Sequence, residues 1–433
     1  MTAMPHWPLY LGPNKDLTSS VERVKLMLNL TNNPQAKLNG VVHITGTNGK
    51  GSTANYIANI LHSHGFSVNL YTSPHIYECN ERIVLNGSKI SDEDLYFYFE
   101  KLREICEINN IEPTLFEATT VVAFMAFAQN NASFNIIEVG MGGKNDATNV
   151  FDKSLAVFTS IHVDHARFLG NTPLQNIAQK IDILKPNQKA VSAPQSKDVN
   201  DFIKKYGKQN NCDISFFDTD YIVEQIEEKP RKMIFSINDN LMLLDKPGLA
   251  GDHQLINASV AIMSVIKLGI EVEAKKINQG IAQTQWPVRM QPITDKCFTD
   301  LLPSQSLIFM DGAHNVSGAF IVGNFLKQYK NTHKLYIING RTKNTDSYGF
   351  LQQFVDIVDG VIAVRVTLEA LSEAPEIIVE EGLKLGLNIK KGDSILDAVQ
   401  KISYDCGENK SIVVICGSLY LARDVKYETN KQQ

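Results

Sequence analysis

The sequence predicts an α/β protein of two domains, each built on a mainly parallel sheet. Short β-branched runs alternate with helical stretches along most of the chain. One early strand ends in a glycine-rich turn that opens a helix. After an aperiodic, turn-rich stretch from Pro292 to Ser306 the alternation starts again, over a length sufficient for an independent core.

The elements follow in order. Ser19-Ser20-Val21-Glu22 reads as a capping box that opens a helix through Leu30, with Val21, Val24 and Met27 at helical spacing. Gly40 to Ile44 is a short β-branched run that reads as a strand ending in the glycine-rich turn. The turn after it leads into a helix from Thr53 to His64, closed by Gly65. Val68 to Tyr71 is the next strand, Glu117 to Gln129 a buried helix, Asn135 to Val139 a strand and Leu155 to Ile161 another. Asn176 to Leu184 reads as a helix that stops before Pro186. Between Asn187 and Leu244 the pattern weakens to strands and a charge-rich excursion, Glu224 to Lys232. Asp252 then caps a helix through Leu268. In the second part, Leu307–Met310, Lys334–Ile338, Gly360–Val366 and Ser411–Cys416 read as strands and Val316 to Tyr329 as a helix. The polar tail from Lys426 is expected to fray.

Composition excludes several classes. The 433 residues carry 42 Lys+Arg against 47 Asp+Glu, a net charge of −5. A dedicated nucleic-acid binder needs a basic excess. The tight apolar run Val121 to Ala128 is far short of the ~20 residues that cross a bilayer, and Met1 to Tyr10 lacks the pattern of a signal peptide. The 6 cysteines form no CxxC pair. They read as reduced thiols of a cytoplasmic protein.

Thr45-Gly46-Thr47-Asn48-Gly49-Lys50-Gly51-Ser52-Thr53 carries the strongest chemical signal. It lies between a strand and a helix, the setting a phosphate-binding loop requires. Glycines let backbone N–H groups face phosphate oxygens, and the helix N-terminus adds unpaired donors and a positive dipole end. Lys50 can reach terminal phosphates, and Ser52 or Thr53 can support phosphate or Mg²⁺. Gly51 stands where a strict Walker A loop has Ser or Thr.

Polar groups gather at other strand ends, where open parallel sheets collect ligands. Glu138 sits in an apolar strand before Gly140-Met141-Gly142-Gly143, as a metal ligand or a salt-bridged structural carboxylate. Asp164-His165 follows the strand ending at Ile161. Asp311-Gly312-Ala313-His314-Asn315 follows the first strand of the second part; a capped helix start accounts for Asp311 and Asn315 but not for His314. Lys180, by itself, reads as a surface lysine.

These residues fall in an ordered set of motifs: ITGTNGKGST (44–53), YTSPHI (71–76) with Glu81-Arg82-Ile83, FEATT (116–120), EVGMGGKNDATNV (138–150), VDH (163–165), GDHQLINA (251–258), WPVR (286–289), MDGAHN (310–315) and ICGSLYLA (415–422). The set resembles the folylpolyglutamate synthase/dihydrofolate synthase family of Mur-type amide ligases. The resemblance implies an N-terminal P-loop ATPase domain over 1–294, like the central domain of Mur ligases, and a smaller Rossmann-like C-terminal domain over 295–433.

It also implies the chemistry. ATP converts a carboxylate to an acyl phosphate, and the amino group of L-glutamate then forms an amide. By resemblance, Asn48, Gly49, Lys50, Gly51 and Ser52 cradle the phosphates. Ser73, Glu138 and His165 match Mg²⁺ ligands. Lys180 matches a lysine carried as a carbamate. Asn257, Arg289, Asp311 and His314 match nucleotide-contacting positions. Phe116 and Thr119 fall in the segment that touches the pterin-bearing substrate. The implied partners are small molecules only: ATP, L-glutamate and dihydropteroate or a reduced folate. A monomer is implied, with no nucleic acid and no membrane. The family usually has Arg where Lys144 stands and Gly where Val288 stands. A nucleotide-dependent switch or binding protein without ligase turnover is the alternative from another class.

Overall fold

The structure is a computed structural model, and it describes residues 7, 20–152, 154–226, 232–238, 240–343, 345–367 and 369–432. Ser19 of the expected capping box and residues 227–231 of the charge-rich excursion lie outside the described residues. The chain divides into two compact units: Met1–Gly248 with Gln254–Gln285, and Leu249–His253 with Trp286–Gln433. The expected boundary at 294/295 thus moves to Gln285. The reason is a strand that sequence periodicity missed, Gln291–Ile293, which pairs antiparallel with Leu307–Met310 and so belongs to the second sheet.

In the first unit the described strands are β1 (Val41–Thr45), β2 (Val68–Tyr71), β3 (Ile83–Leu85), β4 (Ser88–Lys89), β5 (Phe134–Glu138), β6 (Leu155–Phe158), β7 (Lys189–Ser192) and β8 (Asp213–Phe216). They form one sheet in the order β4-β3-β2-β5-β1-β6-β7-β8. From β2 to β8 every pairing is parallel. β1 and β6 are buried at every position, as strands covered on both faces must be. Three further strands, β9 (Tyr221–Ile226), β10 (Lys232–Ile237) and β11 (Asn240–Asp245), make a separate antiparallel sheet.

The helix Leu115–Asn130 shows how sequence sets an element here. Thr114 accepts a bond from Glu117 N, Glu117 accepts one from Thr114 N, and Asn131 closes the helix in the left-handed conformation. Val121, Phe124 and Phe127 are fully buried beneath it, each contributing roughly 1.5–3 kcal/mol of apolar burial. Glu117 also receives the guanidinium of Arg23, at 2.6 and 3.1 Å, which ties the helix Ser20–Leu30 to this N-terminus.

Several expected elements change. The helix after the glycine-rich turn starts at Lys50 rather than Thr53, because Gly49 already makes the left-handed entry. β6 ends at Phe158, and the next residues bond to the loop after β1 and to Gln195 instead of continuing the strand. The helix before Pro186 is Pro173–Lys180, capped by Thr172 and followed by the short 3₁₀ turn Ile181–Ile183. The weak region holds a well-formed helix, Lys197–Gln209, buried through Val199, Ile203 and Gly207 at four-residue spacing.

The second unit has β12 (Gln291–Ile293), β13 (Leu307–Met310), β14 (Lys334–Asn339), β15 (Gly360–Ala363), β16 (Ile389–Lys391) and β17 (Ser411–Cys416), in the order β12-β13-β17-β14-β15-β16. All its pairings but β12·β13 are parallel. β15 stops at Ala363 rather than Val366. The tail does not fray at Lys426. It continues as the helix Leu421–Gln432, held where Glu428 accepts the Ile395 and Leu396 N–H groups at 3.1 and 2.6 Å. Among the described residues no helix is long and apolar enough to cross a membrane.

His43 is a polar residue in the middle of β1, 1% exposed. Burial, and then the charge of Lys185, hold its pKa down to about 3. Between that value and the ordinary 6.5 the unfolded chain binds a proton that the folded chain refuses, so stability falls as pH drops through the window. This residue alone is expected to remove about 2 kcal/mol between pH 7 and pH 5. Urea unfolding at the two pH values checks it: His43→Asn should lose less stability than the native chain on acidification, and equal losses would refute the assignment.

Candidate active site

β1 delivers the glycine-rich loop to the carboxyl end of the first sheet. Two of its positions demand glycine. Gly46 has φ 154°, and a Cβ there would overlap the Thr159 hydroxyl. Gly49 has φ 86°, and a Cβ would stand 2.5 Å from Asn257 Oδ1. The second contact brings Asn257 directly against the loop. Asn257 is itself aimed by a bond from its Nδ2 to Gln254 Oε1 at 3.1 Å. Thr47 stitches the loop to its wall: its N–H donates to Ser160 O at 2.7 Å, and its hydroxyl bonds to the His162 backbone. Asn48 bridges to Ser160.

The helix Lys50–Ser63 begins with first-turn N–H groups that no helical carbonyl can pair. Just inside it, the Ser52 and Thr53 hydroxyls are buried and have no hydrogen-bond partner. Buried hydroxyls are ordinarily bonded. Orphaned hydroxyls on consecutive residues in the first turns of a helix are groups that suit an oxygen-rich anion.

Two lysines converge on the loop. Lys50 Nζ donates to Gly46 O at 3.1 Å and Thr47 O at 3.2 Å. Lys180, 3% exposed, donates from Nζ to the same Gly46 O at 3.1 Å. Its reading as a surface lysine is therefore overturned by its burial and its bond across the chain to the Gly46 carbonyl. Burial first, and the nearby Lys50 charge second, pull the Lys180 pKa down to about 7, against the opposing pull of Asp164 and Asp146. Near neutral pH a substantial share of it is the uncharged amine.

Glu138 ends β5, 4% exposed, and accepts the Ser73 N–H at 3.1 Å. These two candidates are thus side by side. His165 starts the short helix Ala166–Leu169 with φ 48°; its side chain is half exposed, with Nε2 4.0 Å from the Asp164 carboxylate. Among the described residues no three His, Cys, Asp or Glu side chains form a ready metal cluster. The donor types still suit a hard cation: a buried carboxylate, the orphaned Ser52 hydroxyl and the Ser73 hydroxyl are oxygen ligands of the kind Mg²⁺ takes.

Sequence reasoning missed what holds this corner. Asp146 accepts Met141 N at 2.9 Å, Thr148 N at 2.9 Å and the Thr148 hydroxyl at 2.5 Å. Since Thr148 gives its proton to that carboxylate, His43 Nε2 must be the donor in its 2.8 Å bond to Thr148. Thr45 donates to Gly142 O at 2.7 Å. The glycine turn after Glu138 is thus pinned from both sides. The signal was present: His43 and Thr45 are polar positions in an otherwise apolar strand.

Phe116 and Thr119 separate. The Phe116 ring is half buried, lies over Gly140 and stacks on Tyr71 at 6.2 Å. Thr119 is 1% exposed, and its hydroxyl bonds to Leu115 O at 2.9 Å and Tyr71 OH at 3.1 Å. Lys144 Nζ stands 4.0 Å from the Asp182 carboxylate.

In the second unit the strand-end turn after β13 brings three candidates together. Asp311 accepts Met290 N at 2.9 Å and Ala313 N at 2.8 Å. Arg289 Nη1 donates to Val288 O at 2.8 Å and lies where a Cβ on Gly312 would stand. His314 Nδ1 bonds Gly312 O at 2.9 Å; a carbonyl only accepts, so Nδ1 carries a proton and Nε2 is the ring nitrogen left to face a ligand. Asn315 caps the helix Val316–Lys327. Val288 has φ 58°, a conformation costly for a β-branched residue. Glycine, the residue the resemblance leads one to expect there, would adopt it without that cost.

Residues 44–265 match the Mur ligase middle domain family, and residues 297–428 the dihydrofolate synthetase C-terminal domain family. The dihydrofolate synthase/folylpolyglutamate synthase of Bacillus subtilis is 27% identical over 415 residues, covering 93% of each chain. The folylpolyglutamate synthase of Lacticaseibacillus casei is 30% identical over 428 residues, covering 96% of this chain and 95% of that one. The structure of E. coli FolC in complex with ADP, without folate substrate, superposes with a TM-score of 0.85 at 25% identity, over 100% of this chain and 99% of that one. These relatives give no support to a switch without ligase turnover. The chain belongs to the dihydrofolate synthase/folylpolyglutamate synthase family of Mur-type, ATP-dependent ligases.

Proposed function

We propose that this ligase joins L-glutamate to dihydropteroate, a reduced folate, or both. The observation that carries the reading is the pair of orphaned hydroxyls, Ser52 and Thr53, beside Lys50 at a helix N-terminus. That arrangement fits a polyphosphate, and ligation of a carboxylate needs one.

The residues divide the work. The loop from Asn48 to Ser52 binds the β- and γ-phosphates through N–H groups and the Ser52 hydroxyl, and Lys50 leaves the Gly46 and Thr47 carbonyls to reach the γ-phosphate. Asn257, Arg289, Asp311 and His314 serve the nucleotide. Phe116 offers an aromatic face to a pterin ring, with Thr119 positioning that helix through Tyr71. A carboxylate oxygen attacks the γ-phosphorus and ADP leaves. The glutamate amine then attacks the carbonyl carbon, phosphate leaves, and the nitrogen loses a proton. Positive charge at the loop offsets repulsion between the two anions that meet in the first step.

Ser73, Glu138 and His165 would hold Mg²⁺, which when bound supplies charge neutralisation at the phosphates. Lys180 suits a carbamate. Its neutral amine can add to CO₂, forming a C–N bond and releasing one proton, and the product carries a carboxylate where two lysines otherwise crowd one carbonyl.

ADP release with Mg²⁺-ATP and L-glutamate tests the assignment, comparing dihydropteroate with a reduced folate monoglutamate. Turnover is expected with at least one, and none with either would overturn it. In the same assay Ser52→Ala should raise KM for ATP about tenfold, the worth of one good hydrogen bond, while leaving thermal stability unchanged, since the hydroxyl bonds nothing in the protein. A lower melting temperature with unaltered KM would contradict the role given to Ser52.

Lys180→Ala should lower kcat on the order of 100-fold and regain part of it with a small added carboxylate such as acetate. Full activity without any addition would refute its place in the site.

A further inference from the structure

Arg341 leads the fully buried side chains of the described residues by volume, at 0% exposure. No motif drew attention to it. A buried guanidinium is expensive unless its donors find acceptors, and here Nε and Nη2 donate to the chain around His314 and Asp346. Nη2 donates to His314 O at 3.1 Å and to Asp346 O at 3.3 Å, and Nε to Thr345 Oγ1 at 3.2 Å. The guanidinium carbon lies 4.1 Å from the centroid of the Phe350 ring. On its other side, Arg341 O accepts Glu373 N at 2.8 Å.

The topology explains why an arginine stands there. Arg341 lies just past β14, and His314 lies in the turn after β13, with β17 between them in the sheet. A side chain that ties the two must pass the end of β17. Gly417, just past that strand, has φ 114°, and a Cβ on it would overlap Asn339 Nδ2 and stand 2.5 Å from Gly340 O. A long planar fork reaches several acceptors and still stacks on an aromatic ring; a lysine brings one point charge.

We propose that Arg341 is a positioning residue that fixes the main chain at His314, and with it the aim of the His314 imidazole. The ring is tied at Nδ1 to Gly312 O, and the carbonyl of the same residue is tied to Arg341. Held at both points, His314 keeps one orientation of Nε2. The inference rests on the reading that His314 serves the nucleotide. Arg341, fully buried, is assigned this role through its bond to the His314 carbonyl.

The test is a double-mutant cycle on the full chain, with Arg341→Lys, Arg341→Met and His314→Ala, read as kcat and KM for ATP and for the carboxylate substrate alongside thermal melting. Arg341→Lys should fold and lose about tenfold in kcat/KM for ATP, a displacement-sized effect, with KM for the carboxylate substrate little changed. Combined with His314→Ala it should cost nothing further, because both changes remove one function. If Arg341→Met fails to fold, Arg341→Lys carries the test. Unaltered ATP kinetics in folded Arg341→Lys, or losses that add to those of His314→Ala, would overturn the inference. Unaltered kinetics in His314→Ala would instead overturn the nucleotide role of His314 on which it rests.

Discussion

One carbonyl oxygen organises the first unit's site. Lys50 and Lys180 both donate to Gly46 O at 3.1 Å, so two lysine amino groups share one acceptor. Like charges at such range oppose each other strongly when water is excluded. The protein meets part of that cost by letting Lys180 give up its proton readily. The rest is met when anions arrive. On the proposed reading, a polyphosphate offers Lys50 further acceptors at a helix end whose first-turn N–H groups are unpaired.

The remainder of the first unit holds that corner still. The tightly bonded Asp146, Thr148 and His43 chain locks the glycine turn after Glu138 onto β1. Thr47 locks the phosphate loop onto the segment after β6. Preorganised donors cost no rearrangement at the moment charge develops, and each of these bonds serves to fix backbone rather than to touch a ligand. The second unit follows the same plan at its own strand ends. Asp311 ties its turn to Met290 and Ala313, and the turn carries His314.

Much of this was legible in the chain. Alternating β-branched and helical runs gave both parallel sheets, and the glycine pattern marked the loop, because φ values above zero and close approach of Asn257 leave no room for other residues. What escaped was local structure decided by tertiary contacts. The helix Lys197–Gln209 is so polar that only its buried stripe of Val199, Ile203 and Gly207 marks it. The three-residue strand Gln291–Ile293 exists only because β13 offers it an edge. The tail stays helical because Glu428 caps a neighbouring helix. Lys180 and Arg341 look like surface cations in sequence, since burial of a charge depends on partners far along the chain. His314 and Glu138 could be singled out from spacing, whereas the residues that hold them could not.

On the proposed reading, this concentration of donors serves to pass a phosphoryl group to a carboxylate. Oxygen-18 tracing tests it most directly. With the pterin substrate's glutamate-accepting carboxylate labelled in both oxygens, turnover with unlabelled ATP in unlabelled water should release phosphate carrying one labelled oxygen, the other remaining in the new amide. Release of unlabelled phosphate during amide formation would contradict the acyl-phosphate route and the reading of the site built on it.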